Sequence, residues 1–127
     1  MHTIVGVGLD ATDIDRITEV IERYGDRFLR RIFTDGEIAY CTRRRVPAIH
    51  FAGRFAAKEA GMKAIGTGWK RGVRWQDFEV VNLPSGRPTL KLHGEAARIA
   101  GQLGVKVISL SITHTADLGM AHVILEG

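Results

Sequence analysis

Apolar and polar positions change period several times along the chain, and each change marks an expected element. Residues 3–9 alternate, with Val5, Val7 and Leu9 on one face and Gly6 and Gly8 on the other. This predicts a strand whose bare face lets another backbone or a ligand approach closely. From residue 13 the spacing becomes helical. Ile14, Ile17, Ile21, Tyr24 and Phe28 share one side, while Arg16, Arg23, Arg27 and Arg30 gather on the opposite one. Thr12 is the expected cap, with Asp15 completing an imperfect capping box, and Gly25 is expected to interrupt the helix.

The pattern next predicts a short helix over 35–41, a basic loop over 42–47 and a long helix over 48–65. Phe51, Phe55, Met62 and Ile65 of the long helix are core candidates, and Gly66-Thr67-Gly68 stops it. Residues 74–81 read as a strand and 83–88 as a turn, followed by a strand at 89–92 and a helix over 94–103. Residues 106–114 and 120–126 alternate in period two and form a closing hairpin. The expected class is α+β, with helices inserted among antiparallel strands and one domain spanning 1–127.

Length and composition agree with this. The 127 residues are 45% apolar, which suits one globular unit with a modest core. No stretch is long and apolar enough for a membrane span, and no basic segment precedes an apolar leader, so a cytoplasmic protein is expected. The single Cys41 has neither a disulfide partner nor a CxxC neighbour and reads as a small buried hydrophobe. A net charge of +4 favours an acidic partner such as nucleic acid, anionic lipid, a polyphosphate cofactor or an acidic protein. Aromatics at 7% leave little for stacking on single-stranded nucleic acid.

The candidate chemistry rests on a few positions. Asp10 follows the first strand, where a carboxylate reaches a crevice but also serves as a helix cap. The glycines before it are not a dinucleotide fingerprint, because Ala11 stands where the pattern continues and the third glycine is missing. Glu59 and Lys63 lie four apart on one helix face, the spacing of a surface ion pair. Arg54, Lys58, Glu59 and Lys63 nevertheless crowd a helix that is otherwise apolar, which points them at a site or an interface. His114 ends a strand opposite a row of hydroxyls. His50, His93 and His122 lack metal-ligand spacing and read as structural or surface residues.

Three segments together carry a resemblance. Gly8-Leu9-Asp10-Ala11-Thr12-Asp13-Ile14-Asp15-Arg16-Ile17 resembles the first motif of bacterial holo-acyl-carrier-protein synthases. Residues 54–68, RFAAKEAGMKAIGTG, resemble their central motif, and Leu110-Ser111-Ile112-Thr113-His114-Thr115 resembles the third, usually SISHT. The turn Ser85-Gly86-Arg87-Pro88 also matches in order and spacing, so the resemblance covers nearly the whole chain.

The resemblance implies the 4′-phosphopantetheinyl transferase fold and transfer of the phosphopantetheine arm of coenzyme A to a serine of apo-acyl carrier protein. It implies Mg²⁺ held by Asp10 and Glu59, with Lys63 adding positive charge at the same phosphate oxygens. The serine base is Glu59, Asp10 or a metal-bound water, with Glu59 preferred. Arg54, Lys63, Gly66, Gly86, Arg87, Pro88 and His114 are implied in coenzyme A binding. Arg44 and Arg45 either meet its 3′-phosphate or form a solvated loop. Arg16, Arg23 and Arg27 would dock the acidic carrier protein, and a homotrimer with interfacial sites is implied by the short length. Two alternatives are a nucleic-acid-binding module, which leaves Asp10, Glu59 and the GTG loop idle, and a non-catalytic coenzyme A sensor.

Overall fold

The structure is a computed structural model and describes residues 3–127. In chain order the elements are β1 (Ile4–Asp13), α1 (Ile14–Tyr24), α2 (Asp26–Ile32), α3 (Asp35–Thr42), α4 (Pro47–Ala64), β2 (Phe78–Asn82), β3 (Pro88–Leu92), α5 (Gly94–Gln102), β4 (Val107–His114) and β5 (Leu118–Glu126). A single 3-10 turn, Trp75–Asp77, precedes β2. Antiparallel β1, β5 and β4 form one sheet in that order, and β2 pairs with β3 in a second. The expected α+β class is what the chain adopts.

The first strand runs further than its alternation suggests. Pairing with β5 continues to Asp13 opposite Leu118, and the Ile14 amide donates to the Asp117 carbonyl. Asp10 therefore lies within β1, not after it. Thr12 is a buried strand residue, and the cap of α1 is Asp13, whose carboxylate accepts from the Arg16 amide. Gly25 does break the helix, and because the chain turns there Tyr24 points to solvent instead of joining the core. Residues 74–77 fold as an approach and a 3-10 turn, so the predicted strand starts only at Phe78.

α4 is the axis of the molecule. On one side it packs with the three-stranded sheet, β2–β3 and α5 around Phe78, Ile99, Val123 and Leu125. On the other it meets α1–α3 around Ile17, Leu29, Phe33 and Phe51. Ala52, Ala56, Ala57 and Ala60 are wholly buried, so the helix lies close against its neighbours. Gly6 and Gly8 make the closest approach: a Cβ at either would overlap the carbonyl of Ala64 or Ala60. The bare face of the first strand is thus the surface on which α4 rests.

One charged residue of α4 is wholly enclosed. Lys58 is fully buried and its Nζ donates to Glu37 Oε1 at 2.7 Å, to the Phe78 carbonyl at 2.8 Å and to the Trp75 carbonyl at 3.2 Å. Glu37 also accepts from the Thr34 and Val80 amides. Lys58 is therefore a packing residue tying α3, α4 and β2 together, and of the charged cluster on α4 it is the member with no exposure to solvent. Cys41 is buried as expected, and burial pushes its thiol up to about 12.

Candidate functional site

Two clefts flank α4, and they share no lining residue. The larger, of about 670 Å³, opens where β1 ends beside the C-terminal half of the helix. Asp10 and Thr12 lie on the strand face that looks toward α4, while Glu59 comes from the helix one turn before Lys63. Asp10, Glu59 and Arg16 line this cleft together, so the first and central sequence segments do converge in space. The apolar wall includes Phe55 stacked on Trp75, with ring centroids 5.0 Å apart.

The charge arrangement differs from the surface pair that the spacing of Glu59 and Lys63 suggests. Lys63 Nζ donates to Asp10 Oδ1 at 2.8 Å and to the Leu9 carbonyl at 3.3 Å. Its ion pair is thus with the strand carboxylate, which holds the ammonium above its ordinary range. Close approach of β1 to α4 at Gly8 brings Asp10 within reach of Lys63. Glu59 is pushed up to about 7, first by burial and then by its hydrogen bond with Asp10 and the neighbouring negative charge; Lys63 and Arg16 counteract this in part. Two carboxylates competing for one proton make a place where a cation relieves electrostatic cost.

The donor chemistry fits Mg²⁺. Both carboxylates supply hard oxygen, and among the described residues no group of three or more His, Cys, Asp or Glu forms a complete protein cage. Mg²⁺ is ordinarily held by one or two carboxylates, with waters and substrate phosphate oxygens filling its octahedron.

The second cleft, of about 200 Å³, gathers Arg54, His114, Gly86 and Pro88 with Tyr40 and Asn82. Arg54 Nη2 donates to Asn82 Oδ1 at 3.0 Å, and its Nε is buried without a hydrogen-bond partner. The guanidinium carbons of Arg44 and Arg54 each lie 3.9 Å from the centre of the Tyr40 ring. Such stacking holds both cations in place and, apart from the bond of Arg54 Nη2 to Asn82, leaves their N–H groups for an anion. His50 also lines this cleft, so it is more than a surface residue. Burial, followed by Arg54, Arg44 and His114, pulls its pKa down. Tyr40 and Asn82 carried no signal in the sequence, whereas His50 stands four residues before Arg54, a helical spacing that places both on one face.

Three expected contacts line neither cleft: Lys63, which stands beside the larger one through its ion pair with Asp10, and Gly66 and Arg87. Gly66 ends α4 with its amide donating to the Lys63 carbonyl, and Arg87 sits in the β2–β3 turn with its amide on Ser85 Oγ. Of the basic positions on and after α1, Arg16 enters the carboxylate cleft. Arg23 and Arg27 border shallow depressions that also include Val20 and Tyr24. The surface is therefore mixed, with arginines around exposed apolar side chains rather than on a separate face.

Residues 6–120 match the model of the 4′-phosphopantetheinyl transferase superfamily. A holo-[acyl-carrier-protein] synthase from Solibacter usitatus is 68% identical over 123 residues, covering 97% of this chain and 98% of that one. One from Koribacter versatilis is 52% identical over 123 residues, with the same coverage of 97% and 98%. Among solved structures, the holo-[acyl-carrier-protein] synthase of Neisseria meningitidis superposes with a TM-score of 0.88 at 31% identity, covering 98% of this chain and 100% of that one. The Helicobacter pylori synthase, solved in complex with coenzyme A, gives a TM-score of 0.82 at 28% identity, covering 94% and 98%.

Proposed function

The chain belongs to the 4′-phosphopantetheinyl transferase superfamily, and we propose from that premise that the carboxylate cleft carries out its reaction. The enzyme transfers the 4′-phosphopantetheine of coenzyme A to a serine of apo-acyl carrier protein, giving the holo carrier and adenosine 3′,5′-bisphosphate. This step belongs to fatty acid biosynthesis. We place it in the cytoplasm, with residues 1–127 as one transferase domain. Among the described residues no helix is long and apolar enough to cross a membrane.

The observation that carries the assignment of residues is the convergence of Asp10 and Glu59 at one cleft, with Lys63 ion-paired to Asp10 beside it. Asp10 and Glu59 would hold Mg²⁺, which supplies charge neutralisation at the diphosphate. Lys63, ion-paired to Asp10 yet half exposed, is free to donate to a phosphate oxygen as the P–O bond to the bridging oxygen breaks. The serine oxygen forms the new bond to that phosphorus, and Glu59 takes its proton directly or through one water. Arg54 and His114, with the Gly86–Pro88 turn, fit the nucleotide end of coenzyme A. The unpartnered Arg54 Nε and the stacked guanidinium groups suit a phosphate there.

The separation of the two clefts supports composite sites in a homotrimer. Arg54 and Glu59 are five residues apart on α4 and point in different directions, so the two ends of one coenzyme A are better met by neighbouring subunits. The outer face of β1 offers an interface: Ile4, Val7 and Leu9 are 62%, 56% and 65% exposed. Leu9 is on this outer face and Asp10 on the opposite one, and β1 is an edge strand, so a subunit seated here lies beside the strand edge that borders the carboxylate cleft. Arg16, Arg23 and Arg27, with Val20 and Tyr24 between them, suit an acidic amphipathic helix of the carrier protein.

The direct test is mass spectrometry of apo-acyl carrier protein incubated with the enzyme, coenzyme A and Mg²⁺. A gain of the phosphopantetheine mass, abolished by chelator and by Asp10→Ala or Glu59→Ala in folded protein, is expected. No mass gain would refute the function, and activity retained in both variants would refute the metal site.

A further inference from the structure

We propose that Trp69 is a specificity residue that reads the pantoyl end of coenzyme A, the part of the arm joined directly to the diphosphate; this rests on the transfer reaction assigned above. Trp69 is 72% exposed, more than Ile4 or Leu9 on the open sheet face. It lines the same cleft as Asp10 and Glu59, together with the Phe55–Trp75 stack.

The loop that carries it is built to present the indole, not to bury it. Its base is fastened to α4, since the amides of Thr67 and Gly68 both donate to the Met62 carbonyl. Lys70 closes a turn back onto Thr67, and Val73 a second onto Lys70. Gly66, Gly68 and Gly72 have φ of 81°, 55° and 80°, and Arg71 takes φ 62°, a region that side chains ordinarily avoid. Left-handed residues on both sides of Trp69 fold the chain back tightly enough to hold it at the cleft mouth.

Substrate chemistry explains why an indole belongs there. The phosphorus under attack is joined through an ester oxygen to a methylene, which carries a quaternary carbon bearing two methyl groups. That carbon is the first apolar group beyond the diphosphate. With the phosphoryl group at Lys63 and the carboxylates, it lies only a few bonds from them, in the same cleft as Trp69. Diphosphates that continue into ribose present hydroxylated carbons at this position and gain nothing from an indole face. The cleft volume, about 670 Å³, is within the range of roughly 300–1,000 Å³ usual for small-molecule sites.

Calorimetric titration of the Mg²⁺-containing wild type, Trp69→Ala and Trp69→Phe with coenzyme A and with adenosine 3′,5′-bisphosphate tests this. The bisphosphate keeps the nucleotide and lacks the arm. Trp69→Ala should weaken coenzyme A about tenfold, the scale of a lost apolar contact, while Trp69→Phe retains most of the affinity. The bisphosphate should bind all three proteins equally, and coenzyme A should change the wild-type tryptophan emission more than that of Trp69→Phe. Coenzyme A affinity within twofold of wild type in Trp69→Ala, or an equal loss for the bisphosphate, would overturn the assignment. Failure of the wild type to bind coenzyme A would instead overturn the transfer reaction, and this inference with it.

Discussion

Lys58 Nζ and Glu37 Oε1 lie 2.7 Å apart, and neither side chain reaches water. Removing one partner leaves a buried charge without compensation, so Glu37→Ala or Lys58→Ala should each cost about 3–5 kcal/mol. Replacing both by apolar residues often restores a buried pair's stability. Here it should not, because the Thr34 and Val80 amides and the Trp75 and Phe78 carbonyls all bond to these two side chains. Each buried backbone group left unpaired costs about 1–3 kcal/mol. Urea unfolding of Glu37→Leu/Lys58→Met should show a protein well below wild type; equal stability would refute the network.

Glu59 predicts an unusual pH dependence of the metal-free enzyme. Its folded pKa of about 7 lies above the ordinary 4.5. Between these values the folded protein keeps a proton that the unfolded chain has lost, so stability falls as pH rises from about 4.5 to 7. If Mg²⁺ is held at the same oxygens, as proposed, it would displace that proton, and its affinity should weaken as pH drops below about 7. Thermal melts from pH 5 to 8 should show a decline in wild type that is smaller in Glu59→Gln. Mg²⁺ titrations near pH 6 should release protons. A melting profile shared by wild type and variant would remove Glu59 as its origin.

Arg16 lies in the carboxylate cleft and at the near end of the basic surface. Reversing its charge should raise the KM for carrier protein about tenfold at low salt and change that for coenzyme A far less. Added salt should narrow the gap between variant and wild type, because exposed charges are screened within about 10 Å at 0.1 M. Equal effects on both substrates would show that Arg16 serves the coenzyme A site instead of docking.

Much of this was legible along the chain, for identifiable reasons. Gly6 and Gly8 announced a close backbone approach because a missing side chain has few other uses in an alternating strand, and α4 fills that space. Gly25 announced a break because its conformation is needed there. The length of β1 was hidden, since Ala11-Thr12-Asp13 reads as a helix start and only pairing with β5 makes it strand. Lys58 looked like its neighbours Arg54 and Glu59 because periodicity gives direction without the partner, and Glu37 lies 21 residues away. The partner of Lys63 was obscured likewise: Glu59 is near in sequence, but Asp10 is the carboxylate that the fold brings to it. Tyr40 and Asn82 meet Arg54 only through the packing of α3 and β2 around α4, whereas His50 lies about one turn before it on the same helix.

Composite sites make a prediction that no single-subunit enzyme shares. Asp10→Ala removes the carboxylate cleft from one chain and Arg54→Ala the anion cleft from another, so each homotrimer should be inactive. Random exchange of the two after mild unfolding and refolding pairs an intact Asp10 with an intact Arg54 across about a quarter of the interfaces. Activity should therefore return to about that fraction of wild type, with the mass of a trimer in sedimentation. Leu9→Asp in either chain, which places charge on the exposed face of β1, should abolish both the recovery and the trimer. Mixed trimers as inactive as their parents would place both clefts at the service of one subunit's substrate.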